Sequence, residues 1–364
     1  MHSITETIEV FDSSQKNFWE ERFHMLPPDL QDINYSYDYQ FLFEKNGDGT
    51  IQLFVYREKD SIYYYPFLIR PVVSPVLDAG HHDIENVYGY TGPLYSTREP
   101  GFPERANEAF TSWCKEQKVV CEFIRFHPLL HNAEQVLKDS GISVVPLRDY
   151  VVVDLNQSVH NIESNYTSQN RNKIRKAEKN GVQCLIDSDG KYFNDFVEIY
   201  LENMKALHAA RMYYFSTAFF NQLKVLVQKN GCLVLAQKDG KKIGAAVFLA
   251  GGKIGHYFLS SATEEGKKLA VSNLMLHHGI VWGKENGMTK MHLGGGLTAD
   301  AQDPLLVFKK NFSALTEKFY IGKRIFDKES YEMLIQDWDR RFPDEAPKYK
   351  SILQRYRWNK EDLL

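Results

Sequence analysis

Residues 232–262 read CLVLAQKDGKKIGAAVFLAGGKIGHYFLSSA. Three β-branched and apolar runs are separated by Asp239-Gly240 and Gly251-Gly252, each a dipeptide that accepts the positive φ of a tight hairpin turn. The stretch predicts three consecutive strands folded as an antiparallel meander. Immediately after it, AVSNLMLHHGIVWGKENG (270–287) carries helical periodicity and ends at Gly287, and MTKMHLGG (288–295) reads as a further strand.

Working outward, helices precede the meander. QNRNKIRKAEKNGV (169–182) is a basic helix closed by Gly181, and YFNDFVEIYLENMKALH (192–208) and STAFFNQLKVLVQKNG (216–231) are amphipathic. YVVVDLN (150–156) is a strand. The N-terminal part shows a similar mixture: strands at GTIQLFVYRE (49–58), IYYYPFLIRPVV (62–73) and CEFIRFHPLL (121–130), a helix at PERANEAFTSWCKEQKV (103–119) and a short helix at AEQVLKDSGI (133–142). In the longer helix Phe110, Trp113 and Cys114 share one face. VYGYTGPLYS (87–96) holds too much Gly and Pro for a regular element and reads as a loop with exposed tyrosines. The fold class expected is α/β (α+β), with two similar domains, each a mixed, mainly antiparallel sheet flanked by helices.

The bulk properties agree with a globular enzyme-sized chain. It has 364 residues, 43% hydrophobic and 25% charged, too long for one ordinary core. A net charge of −3 shows no global basic field, so DNA is not expected as a partner. Cys114, Cys121, Cys184 and Cys232 form no C-x-x-C pair and are expected to be reduced and buried. The first residues lack a signal-peptide pattern and no apolar run has transmembrane length. The expectation is a cytoplasmic protein with at most peripheral membrane contact.

Three stretches carry possible chemistry. In MHLGGGLTADAQDPLLVFKKNFS (291–313) three glycines follow a strand and precede two lysines. The spacing fits neither G-x-x-x-x-G-K-[ST] nor G-x-G-x-x-G. Gly294 and Gly295 are either a plain strand-ending turn or backbone that lets a ligand approach closely. Lys309 and Lys310 are either snorkelling surface residues or cations that stabilise charge on a carbonyl or phosphate oxygen. The basic run Arg171, Lys173, Arg175, Lys176 and Lys179 is either a solvated helix face or a surface for a phosphate-bearing donor. His127 and His131 are four apart with Pro128 between them, and no further ligand completes a metal set, so no metal is expected.

Seven segments in order, VYGYTGPLY, FIRFHPLL, NRNKIRKAEKNGV, MKALHAARMYYFSTAFFNQL, GHYFLSSA, NLMLHHGIVWGKENGMTKMHLGGG and LLVFKKNFS, resemble the FemAB family over roughly residues 85 to 315. These are peptidoglycan aminoacyltransferases and relatives in surface-polysaccharide biosynthesis. The resemblance implies two GNAT-like acyltransferase domains: 1–150, joined by C-terminal elements 325–364, and 151–324 with the donor site. It implies transfer of an aminoacyl or acyl group to an amine of a cell-envelope precursor, a muropeptide or sugar nucleotide, with no bound cofactor. The Phe-Lys pair of the family matches Phe308 and Lys309, the lysine near the donor carbonyl, and Arg211 matches an acceptor-phosphate contact. His256 or Tyr257 would carry the proton, Tyr88 and Tyr90 would line the acceptor cleft, and Arg175 would meet the donor.

Two departures from the family pattern bear on the donor. The long helical hairpin common in members that use tRNA has no room between Val182 and Cys232. ATEEGKKLAVSN (262–273) lacks the R/Q-x-x-G-x-G/A pyrophosphate loop of ordinary GNAT enzymes. The donor is therefore left between aminoacyl-tRNA and acyl-CoA. The alternatives to a FemAB-type transferase are an acyl-CoA- or acyl-carrier-dependent N-acyltransferase acting on a sugar or small amine, and a non-catalytic protein that binds the precursor.

Overall fold

The computed structural model describes residues 6–136, 138 and 140–359. In chain order it runs β1 (Glu6–Asp12), α1 (Lys16–His24), α2 (Tyr37–Asn46), β2 (Thr50–Glu58), β3 (Ser61–Pro71), β4 (His82–Glu85), β5 (Leu94–Tyr95), α3 (Phe102–Glu116), β6 (Val119–Arg125) and β7 (Ser143–Asp154). It continues α4 (Val159–Ser164), α5 (Ser168–Lys179), β8 (Gln183–Asp187), α6 (Phe193–Ala206), α7 (Thr217–Asn230), β9 (Gly231–Lys238), β10 (Lys241–Gly251) and β11 (Ile254–Ala262). The last elements are α8 (Glu264–Lys268), α9 (Val271–Glu285), β12 (Lys290–Gly294), α10 (Pro304–Lys310), β13 (Thr316–Ile325) and α11 (Lys328–Arg341).

The chain divides into two compact units: residues 1–27, 47–146 and 319–364 form the first, and 28–46 with 147–318 form the second. The first unit orders its strands β1-β2-β3-β4-β6-β13, with β5 on β3. Its core is aromatic. Phe110 of α3 lies 5.1 Å from Phe54 and 5.2 Å from Tyr65, ring centre to ring centre, so the helix is held on the β2–β3 hairpin by edge-on aromatic contacts. On a separate cluster, Leu334 and Trp338 of α11 pack on Val120 and Cys121 of β6. Arg357 then ties the C-terminal segment to Asp83 at 2.6 Å.

The second unit orders its strands β7-β12-β11-β10-β9-β8. The expected meander is β9, β10 and β11, antiparallel throughout. The chain then crosses through α9 to β12, which lies parallel to β11, the connection such a pair requires. Val271, Leu274, Met275 and Ile280 of α9 join Ile174 and Ala177 of α5 in the core on one face of the sheet. At Gly279 a Cβ would fall 2.0 Å from the Phe248 ring, so only glycine lets α9 lie this close to β10.

Two sequence expectations differ from the structure. Residues 28–46, expected in the first domain, belong to the second unit. Phe43 of α2 meets Phe219 of α7 at 5.6 Å, Tyr39 meets Phe258 at 5.8 Å, and Asn46 accepts a 2.9 Å hydrogen bond from Ser216 N. Aromatic burial against α7 thus outweighs chain proximity. The boundaries fall at 146/147 and 318/319, inside β7 and β13, rather than at 150/151 and 324/325. The helix expected over 133–142 is, among the described residues, a 3-10 turn over Asn132–Gln135. Val136 is already extended and Gly141 has φ +75°, both incompatible with a continuing helix.

Among the described residues no helix is long and apolar enough to cross a membrane. None of the four cysteines is in a disulfide; Cys114, Cys121 and Cys232 are buried and Cys184 is half-buried.

Candidate active site

Strands β11 and β12 pair only over Ile254–Lys290, Gly255–Met291 and His256–His292. Beyond these residues they no longer pair, and the carboxyl end of β12 opens into the glycine triplet. In α/β sheets ligands meet the carboxyl ends of parallel strands where neighbouring strands part. The residues gathered here define the candidate site.

Each glycine of the triplet has its own requirement. Gly294 sits at φ +79°. A Cβ at Gly295 would lie 2.3 Å from the Tyr150 ring, and one at Gly296 would lie 2.4 Å from the Asp303 carboxyl group. The space beside Gly295 and Gly296 is therefore filled by the protein's own side chains. Of the two readings of Gly294 and Gly295, the side-chain space at Gly295 is taken by Tyr150, while Gly294 meets the positive φ of the turn.

Three charged side chains clamp this turn. Lys309 donates to the Gly295 carbonyl at 2.7 Å. Arg148 donates to the carbonyls of Gly296 at 2.7 Å and Leu297 at 2.9 Å. Asp303 accepts the amides of Leu297 at 3.0 Å and Thr298 at 2.9 Å, and caps α10 through Leu305 N at 2.9 Å and Leu306 N at 3.1 Å. The amide of Thr298 and the other donors hold the Asp303 carboxyl at about 2, against a usual 3.8. Lys309 is only 8% exposed, so it does not snorkel. Burial pushes its ammonium down to about 7, opposed by the nearby Asp303 carboxylate and assisted by the Arg148 charge. Near neutral pH Lys309 therefore exists in both forms, able to donate from one and accept a proton in the other.

Phe308 serves a different role from its neighbour. Its half-buried ring packs on the core and meets Phe312 at 5.6 Å, which anchors α10. Tyr257, the other proton-carrier candidate, is half-buried among packing contacts. Its ring stacks on Phe248 at 5.3 Å, its hydroxyl bonds Ser260, and burial pushes its pKa up.

His256 is buried, and its Nε2 lies 2.7 Å from Asp32 Oδ2. Asp32 Oδ1 accepts the Asn34 amide at 2.9 Å and its side chain at 2.7 Å, which fixes the carboxylate facing the imidazole. The His256 ring lies 5.5 Å from His292, which lies 5.3 Å from Tyr150, which covers Gly295. His256, His292 and Tyr150 thus form a row of rings that ends beside Gly295, whose backbone carbonyl Lys309 contacts.

The remaining expected residues lie elsewhere. Arg175 is exposed on α5 and lines a cleft of about 150 Å³ with Glu163, Glu178, Tyr166 and His277. Arg171, on the same helix, is spent on the carbonyls of Ser164 and Tyr166. Arg211 is exposed in the 3-10 turn between α6 and α7. In the first unit Tyr88 is exposed and Tyr90 is half-buried against His127 and Phe319, while Tyr95 is buried in β5. The picture of a loop with uniformly exposed tyrosines is thereby corrected.

Asp32, Arg148, His292 and Asp303 were not singled out from sequence. Asp303-Pro304 ahead of an apolar run is a helix-start signal that identifies the cap. The other three act through contacts made by distant parts of the chain and leave no local pattern.

Residues 164–303 match the family described as an acetyltransferase (GNAT) domain. No curated protein matches the chain in sequence. The fold is similar to that of FemX, with a TM-score of 0.63 and 13% identity over 90% of this chain and 99% of that one. It is also similar to a conserved protein of unknown function from Bacteroides thetaiotaomicron, with a TM-score of 0.57 and 8% identity over 88% and 100% of the two chains. L-PGS from Bacillus licheniformis shares it with a TM-score of 0.50 and 13% identity, over 75% of this chain and 84% of that one.

Proposed function

Because the chain has a FemAB-like fold, that of FemX, and a GNAT-type region within it, we propose that it is an acyltransferase moving an aminoacyl or acyl group to an amine of a cell-envelope precursor, a muropeptide or sugar nucleotide. The observation that carries this reading is the parting of the parallel strands β11 and β12 beside the buried Lys309.

The reaction is direct attack. The acceptor nitrogen, uncharged, bonds to the donor carbonyl carbon; the ester or thioester bond to the donor breaks; the proton leaving nitrogen ends on the leaving group. Lys309 has three N–H donors when protonated and spends one on Gly295, so another is left to polarise the donor carbonyl. His256, oriented by Asp32, takes the role of proton carrier. Arg211, Tyr88 and Tyr90 are retained as acceptor contacts on their own units.

Aminoacyl-tRNA is the donor favoured here. Ahead of α9, where an ordinary GNAT enzyme carries its pyrophosphate loop, α8 forms instead, with Glu264 and Glu265 in its first turn. That turn holds no glycine-rich loop: its carboxylates are paired, Glu264 with Lys267 at 2.6 Å and Glu265 with Lys241 at 3.0 Å. The exposed cations Arg175, Lys176 and Lys179 on α5 suit a phosphate-rich donor. The second reading, an acyl-CoA-dependent N-acyltransferase, is favoured by the GNAT match over 164–303. Both donors are cytoplasmic, and the proposal places the protein there.

The test incubates the protein with a UDP-linked muropeptide and either charged tRNA or acyl-CoA, and reads the acceptor mass. A gain of one aminoacyl residue with charged tRNA is expected. A gain with acyl-CoA alone establishes the second reading, and no gain with either, or with a panel of amino-sugar acceptors, overturns transfer.

A further inference from the structure

The turn Gly295–Thr298 is a short peptide in which five of the eight backbone polar groups are met by ionic side chains. Its carbonyls at Gly295, Gly296 and Leu297 face two cations, and its amides at Leu297 and Thr298 face one carboxylate. Ordinary strand-to-helix turns satisfy such groups with water or neutral caps. Here the two sides also come from different parts of the chain. Asp303 begins α10, the helix that ends with Lys309, whereas Arg148 comes from β7, 148 residues before Gly296.

The geometry has a consequence for Lys309. Its helix has seven residues, with Asp303 as N-cap and Lys309 in the last turn. Asp303 holds both ends of the connection: through Oδ1 it starts the helix, and through Oδ2 it gathers Leu297 and Thr298. Arg148 draws the same turn from its carbonyl side and reaches Gly296, the residue after Lys309's own acceptor. The Arg148 Nε–H is enclosed and, among the described residues, has no hydrogen-bond partner. A buried donor left this way costs free energy, which the fold sustains to keep Arg148 on the turn.

We infer that Asp303 and Arg148 are opposed positioning residues for Lys309, Asp303 anchoring the turn by its amides and Arg148 by its carbonyls, so that the Gly295 carbonyl and the lysine amine are presented together at the opening of β11 and β12. Asp303 and Arg148 are also the charged groups facing the amine, the first from its own helix and the second from β7; the residues of the turn between them, 294–298, carry no charge. Their charges act on it with opposite sign. The carboxylate favours the ammonium form and the guanidinium favours the free amine. Burial is the main cause that lowers the lysine's titration; the pair fixes the place of the amine and adjusts, with opposite signs, the pH at which it changes charge. Its catalytic consequence rests on the transferase reading; the positioning itself does not.

The test follows the titration of Lys309 in the intact, ligand-free protein by NMR of ¹³C-labelled lysine side chains, its signal assigned by loss in Lys309→Ala. Native protein is expected to titrate near 7. Asp303→Asn is expected to move the midpoint down, and Arg148→Gln to move it up, each by roughly one pH unit. Midpoints that stay put, or that move in the same direction, overturn the inference. If Asp303→Asn fails to fold, Arg148→Gln decides alone, an upward move supporting the inference and no move overturning it. Opposite shifts in a protein that transfers no acyl group leave the positioning standing and remove the transferase reading.

Discussion

Asp32 Oδ2 and His256 Nε2 lie 2.7 Å apart across 224 residues of sequence, with both side chains buried. The contact joins the 28–46 segment to β11 at the last residue where β11 still pairs with β12. Ile33, next to Asp32, is pressed on Gly251, where a Cβ would fall 2.3 Å from the Ile33 amide nitrogen. The segment is thus seated by shape at one residue and by charge-assisted hydrogen bonding at the next.

Asp32→Ala removes the acceptor of the Asn34 amide, the Asn34 side chain and His256 Nε2 at once. Losing the partner of a buried polar group costs about 1–3 kcal/mol. The variant is expected to melt measurably lower in calorimetry and to lose transfer activity. Asp32→Asn, which keeps one oxygen acceptor, is expected to fall between the two. A melting temperature equal to that of the native protein would refute this account of the segment.

Lys309 gives a pH prediction with a definite sign. A lysine held near 7 rather than 10.5 binds fewer protons folded than unfolded between those two values. Stability attributable to it therefore rises with pH across that window, and its cost is fully present below about 7. Lys309→Met, similar in length and without the charge, is expected to gain on the native protein at low pH. The advantage should shrink as pH rises from about 7 to about 10. Urea unfolding at stepped pH measures it. A stability difference independent of pH would show that the lysine is not buried as described. The same variant is expected to lose about 100- to 1000-fold in transfer rate.

How much of this was readable beforehand depends on how local its cause is. The meander β9–β11, the helix α9 and the strand β12 are set by turn dipeptides and helical periodicity inside a few dozen residues. The placement of α2 is not, because its side chains are satisfied by α7, some 170 residues away at Asn46 and Ser216. Lys309 stood out by position beyond three glycines. Its burial and the neighbouring Arg148 did not, since a guanidinium contacting Gly296 leaves no trace in the sequence around either residue. What occupies the side-chain space at Gly295 was hidden for the same reason: Tyr150 comes from another strand.

Gly295→Ala tests that last point. The added methyl would meet the Tyr150 ring at 2.3 Å and the Asp149 carbonyl at 2.9 Å. Tyr150 is buried and wedged against His292, so it has little room to yield. Overpacking of this kind costs about 1–3 kcal/mol. The variant is expected to be less stable and to lose transfer activity through displacement of the carbonyl that Lys309 contacts. Retention of both stability and rate would mean that the turn is free to move.

The basic face of α5 carries the final prediction. Arg175, Lys176 and Lys179 are exposed, and Lys176 also reaches the Lys268 carbonyl at the end of α8 at 3.3 Å, so the face adjoins the approach to α9. If charged tRNA is the donor, binding must release counterions from each phosphate these cations meet, and affinity must fall with salt. The double variant Arg175→Gln, Lys176→Gln is expected to weaken tRNA binding and to flatten the slope of log affinity against log salt by about 1–2, at roughly 0.7–0.9 per lost contact. Fluorescence anisotropy with labelled tRNA over a range of salt concentrations reads both effects. Weaker binding with an unchanged slope would assign the loss to altered folding of α5. An unchanged affinity would remove this face from the donor site and, with it, the main argument from charge for an RNA donor over acyl-CoA.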